Sequence, residues 1–158
     1  MKIYSRRSAV VLAGSGALLA SAGLLVQTVR AATSSPRVAT NGRGVALDGY
    51  DTTAYWRTGA AREGTSTQTE QWHGAPWYFA DAAAAQMFST NPEAVAPQFG
   101  GFCTRAMSFG KTVNGDPNVW RIYRDKLYLF ALPVGGEKFD EGQDAMITLA
   151  QQFWDTPD

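Results

Sequence analysis

Residues 119–131 read VWRIYRDKLYLFA, two runs of β-branched and aromatic residues on either side of Asp125-Lys126. Such runs around a short polar link predict an antiparallel hairpin, with Trp120, Ile122, Tyr123, Tyr128 and Phe130 on its strands. Upstream, Thr67–Trp72 and Trp77–Ala80 flank His73-Gly74-Ala75-Pro76, where Gly supplies special backbone geometry, and this pattern predicts a second hairpin. Asn114-Gly115-Asp116-Pro117 is dense turn chemistry leading into the first.

Helical segments lie between and after the hairpins. Asp81 is placed to cap a helix over 82–90, whose four alanines are strong helix formers. Asn91-Pro92-Glu93 reads as a second start, with Asn at the N-cap, Pro at the first position and an acid in the first turn, and Pro97 ends it. Over 137–154, Met146, Leu149, Ala150 and Phe153 recur at helical spacing among polar residues, which predicts an amphipathic terminal helix. Val45–Asp51 reads as an extended piece ending in an Asp48-Gly49 turn. The expected class is α+β: a small single domain with two hairpins forming a short antiparallel sheet, short central helices and a C-terminal amphipathic helix. The sequence shows no internal repeat.

The N-terminus has the layout of an export signal. Lys2, Arg6 and Arg7 precede an apolar run over 9–26, and Val29-Arg30-Ala31 offers small residues ahead of a cleavage point after Ala31. Ser5-Arg6-Arg7 resembles the twin-arginine signal of bacteria. The expected partition is a signal peptide over 1–31, a flexible lead-in over 32–44 and a folded domain over 45–158, with a periplasmic or secreted product that keeps no membrane span.

Lys2, Arg6, Arg7 and Arg30 are the only charged residues of 1–31. Removing them from a chain with 14 basic and 14 acidic residues leaves a net charge of −4. A mildly acidic product has no electrostatic reason to bind nucleic acid or an anionic membrane. The exported part is large enough for one domain. With a single cysteine it has no internal disulfide to stabilise it.

That cysteine lies in Phe99-Gly100-Gly101-Phe102-Cys103-Thr104-Arg105-Ala106-Met107, and three readings of it stand side by side. As a soft-metal site, Cys103 and Met107 sit four residues apart on one helical face, a thiolate and thioether suited to Cu(I), with His73 as a further ligand. Zinc is poorly served by one Cys and one His. As a catalytic thiol, Cys103 in a first helical turn would have a lowered pKa, with His73 as its base. As a packing residue, Cys103 belongs to an apolar cluster with Phe99, Phe102, Ala106, Met107 and Phe109, which needs no ligand to explain it.

Other groups have plainer readings. Asp48, Asp51 and Asp116 could serve a hard cation, but their turn contexts use Asp for local backbone hydrogen bonds. The aromatics, five tryptophans among them, fit a core, with Trp72 beside His73 the one that points to a surface role. Gly100-Gly101 points to positive φ or a close backbone approach.

Several separated motifs carry a family resemblance. Gly49-Tyr50-Asp51-Thr52-Thr53-Ala54-Tyr55, Trp77-Tyr78-Phe79-Ala80 with Phe88 and Pro92, Pro97-Gln98-Phe99-Gly100-Gly101-Phe102-Cys103 with Ala106, and Gly115–Trp120 with Lys126–Leu129 resemble the exported YHS domain proteins of bacteria. The resemblance spans residues 45–131. It implies a binding or accessory module, with metal binding as in YHS modules attached to metal-transporting ATPases, where paired cysteines occur. This chain lacks the N-terminal pair, and only Cys103 stands where the family's GGYC-like motif has its cysteine. The expected ligand is a metal ion, Cu(I) in particular, or a small molecule; a thiol-dependent enzyme and a non-metal interaction module are the alternatives.

Overall fold

The computed structural model describes residues 37–156; the segment read as a signal lies outside them. The described chain is α+β, with six helices and two separate two-stranded antiparallel sheets. In order they are α1 (Ala54–Thr58), β1 (Thr65–Trp72), β2 (Ala75–Phe79), α2 (Ala82–Thr90), α3 (Pro92–Val95), α4 (Thr104–Met107), β3 (Asp116–Tyr123), β4 (Lys126–Phe130), α5 (Pro133–Glu141) and α6 (Gln143–Trp154). No helix among the described residues is long and apolar enough to cross a membrane.

Both hairpins turn through two residues at positive φ, His73-Gly74 (51° and 79°) and Arg124-Asp125 (49° and 55°). Paired left-handed residues match the twist of the flanking strands, so the first link is two residues long and Ala75 and Pro76 belong to β2. The terminal helix also differs from its expectation. Gly142, at φ −168° and ψ 64°, breaks it into α5 and α6, and Leu149 points outward while Ile147 joins Met146, Ala150 and Phe153 on the packed face.

Although the sequence shows no internal repeat, the described chain uses one backbone plan twice. Each half opens on a left-handed backbone turn, Leu47-Asp48-Gly49 (φ 50°, 52°, 85°) and Phe99-Gly100-Gly101 (54°, 60°, 89°). A short helix follows, then an antiparallel hairpin whose register is interrupted at the same place, between Thr65 and Thr69 and between Asp116 and Trp120. A nine-residue helix comes next, α2 or α5, and a sharp break at Asn91 or Gly142 leads into α3 or α6.

The hydrogen bonds repeat as well. Gly64 N donates to Gly49 O at 2.9 Å as Gly115 N does to Gly101 O at 3.0 Å, and Asp51 N donates to Arg62 O at 2.8 Å as Cys103 N does to Val113 O at 2.7 Å. Phe88 of α2 receives the rings of Trp77 and Phe79 at 5.4 and 4.9 Å, and Phe139 of α5 receives those of Tyr128 and Phe130, both at 5.2 Å. Burying each such phenylalanine stabilises the fold by roughly 1.5–3 kcal/mol.

β4 is the wall between two cores. Alternation along the strand sends Leu127 and Leu129 into a cluster with Tyr55, Trp77, Phe79 and Phe88, and Tyr128 and Phe130 into a second with Phe99, Cys103, Met107 and Phe139. Tyr55 ties the halves together, its hydroxyl donating to Pro117 O at 2.8 Å.

Packing begins ahead of Val45. Ala39 is buried and its N–H donates to Gly100 O at 2.9 Å, while the Arg37 guanidinium hydrogen-bonds Trp154 O and lies over the Trp154 ring. The described part of the expected lead-in is therefore part of the fold.

Candidate functional site

Cys103 leaves the left-handed turn in extended backbone (φ −63°, ψ 111°) and stands at the N-cap of α4, where its Sγ accepts from Ala106 N at 3.4 Å. It is 5% exposed. Its side chain serves two surroundings at once, the second core and the floor of an open cavity of about 340 Å³.

Cys103, Ala106, Ala131 and Gly135 form that floor. The rim is apolar and in solvent: Phe109 is 67% exposed, Leu132 64%, Val113 44% and Val134 41%. Arg105 completes the lining, with its guanidinium carbon 5.6 Å from the centre of the Phe109 ring.

At the matching place in the first half, polar groups bond to one another. Asp51, in the place of Cys103, is fully buried; its Oδ1 accepts from Thr53 N and Oγ1 at 2.8 and 2.7 Å, and its Oδ2 accepts from Ala80 N at 3.1 Å. Arg57, in the last turn of α1, bridges to Asp81, the N-cap of α2, at 3.1 Å. The hydrogen bond from Ala84 N, with the Arg57 guanidinium beside it, holds the Asp81 carboxyl below its ordinary value.

In the second half the residue that matches Arg57, six positions after Cys103, is Phe109, just past the Ser108 C-cap of α4, and the N-cap of α5 is Leu132, which offers no side-chain hydrogen bond. An exposed leucine at an N-cap breaks a strong local preference for Asp, Asn, Ser or Thr. Violations of that kind concentrate where function outweighs stability.

No family model, curated protein or solved structure matches the chain.

The structure brings Cys103 and Met107 together in one core cluster and does not bring His73 to them. His73 caps the exposed turn between β1 and β2, its ring stacked on Trp72 at 3.7 Å. Trp72 in turn packs edge-on against Trp77 and Phe88 of the other core. His73 thus stands with the first core and Cys103 and Met107 with the second. Among the described residues no three His, Cys, Asp or Glu side chains group as a metal site.

The acids of the turns act locally. Asp48 Oδ1 accepts from Asn41 Nδ2 at 3.1 Å and Asp116 Oδ1 from Asn118 N at 2.8 Å. They line a polar cavity of about 400 Å³, each with its Oδ1 engaged in these local bonds. Arg105, Phe109, Leu132 and Val134 were not identifiable as site residues from sequence. The one available signal is Leu132-Pro133, an apolar residue where a helix start calls for a cap.

Proposed function

We propose that the chain is an exported binding or accessory module of the YHS type rather than an enzyme, and that its ligand enters the apolar groove over Cys103. One observation carries this reading: Phe109 and Leu132 stand exposed around an open cavity where the first half pairs Arg57 with Asp81. Two halves with one backbone plan differ in chemistry at this place. Apolar side chains left in water there cost stability unless something covers them. The motifs shared with YHS proteins and the signal-like leader support the module and its export.

The test is titration of the purified protein with the neutral fluorescent probe N-phenyl-1-naphthylamine. Saturable binding should weaken strongly in Phe109→Ser and in Leu132→Ser. Binding that both variants retain would place the ligand elsewhere.

The copper reading rests on Cys103 and Met107 alone, since His73 belongs to the other core's hairpin. A Cu(I) titration against a competing chelator, with Cys103→Ser alongside, decides it. Tight stoichiometric binding lost in the serine variant would favour metal over the groove.

A further inference from the structure

The groove has a sign. Arg105 is the one charged residue among those lining it, and no carboxylate does so. Arg57, Arg121, Arg124 and Lys138 each pair with an acid. Arg105 makes no such pair among the described residues, and its guanidinium rests instead near the Phe109 ring at the rim. At the corresponding place in the first half, Arg57 is neutralised by Asp81; in the second half Leu132 holds the acid's place.

A partly buried arginine beside an apolar cavity is complementary to an amphipathic anion. We propose that the groove takes a small amphipathic carboxylate, with its aliphatic or aromatic body against Phe109, Leu132 and Val134 and its carboxylate on Arg105. This rests on the groove being the binding site. A cavity of about 340 Å³ lies at the small end of ligand pockets, which suits a single short chain rather than a two-chain lipid.

Competition against N-phenyl-1-naphthylamine on the full protein tests it, with decanoate, decanol and decyltrimethylammonium as competitors of one chain length. Decanoate should compete at roughly ten-fold lower concentration than decanol, as expected for one charge-assisted contact. Decyltrimethylammonium should be the weakest. Added salt should shrink the decanoate advantage. Arg105→Gln should bring decanoate to the level of decanol with decanol unchanged, and Arg105→Lys should keep part of the difference.

Decanoate no better than decanol, or an advantage that survives Arg105→Gln or ignores salt, overturns the anion assignment and leaves the groove standing. Failure of the probe and of all three competitors to bind overturns the groove itself.

Discussion

Asp81 and Leu132 occupy the same place in the two halves, each the N-cap of a nine-residue helix that follows a hairpin. Asp81 accepts from Ala84 N at 2.8 Å and holds Arg57; Leu132 does neither and lies in solvent at the groove rim. Leu132 already has the extended backbone a cap needs, φ −145° and ψ 151°. Leu132→Asp should therefore stabilise the protein by about 1 kcal/mol. It should also weaken apolar probe binding, by removing a wall and placing an anion at the mouth. Denaturant unfolding and probe titration on the same preparation check both directions; a cap that leaves probe binding intact would count against the groove.

Acid titration should report on Asp81. The Asp81 carboxyl is held low by the Ala84 N–H and then by Arg57, so its contribution is fully present above the ordinary value of 3.8 and disappears as pH falls through the lowered folded value. Asp81→Asn keeps a side-chain cap and loses an exposed ion pair, so it should lower stability only slightly at pH 7 and flatten the loss of stability as pH falls below the ordinary value of 3.8. Asp140, held low by Arg121, acts in the same direction and stays in both proteins, so the difference between the two curves reports Asp81.

The hairpins, α2 and the class of the fold were legible because alternation, turn residues and capping are local signals. The repeated backbone plan was not. Gly49 and Gly101, Gly64 and Gly115, Phe79 and Phe130, and Phe88 and Phe139 are matched pairs, but the loop from the short helix to the hairpin is one residue shorter in the second half, and most pairs between these anchors differ in chemistry. What such pairs share is backbone geometry, the left-handed φ of Leu47 and Phe99 or of His73 and Arg124, which no residue type announces. The groove is not legible in the sequence for the same reason: it is defined by contrast with Arg57 and Asp81. Cys103 was legible as a focus, whereas the placing of His73 depended on which core its hairpin joins.

The two central glycines should respond differently to alanine. At Gly100 an added Cβ would overlap the Arg37 carbonyl oxygen and lie 3.2 Å from Val38 Cα, so the packed N-terminal stretch must move. At Gly101 the nearest atoms are at 3.5 Å or beyond, and the cost is backbone strain at φ +89°. Gly101→Ala should cost about 1–3 kcal/mol, and Gly100→Ala more. Thermal melts rank them, and equal melting temperatures would show that residues 37–39 add little to stability.

Thr52 and Thr104 hold matching positions one residue after Asp51 and Cys103, and both are fully buried. Thr52 Oγ1 donates to Val95 O at 2.7 Å, at the end of α3. In the second half the corresponding helix, α6, runs on to Trp154, so its early carbonyls are taken by its own backbone N–H groups, and Thr104 Oγ1 has no partner among the described residues. A buried hydroxyl without a hydrogen bond is destabilising, and a methyl group of similar size is not. Thr104→Val should therefore raise stability by about 1 kcal/mol, while Thr52→Val should lower it by a similar amount. Urea unfolding of the two variants beside the native protein reads the sign directly. A loss on Thr104→Val as large as that on Thr52→Val would mean that the hydroxyl is satisfied, and that the halves are more alike at this position than their helices imply.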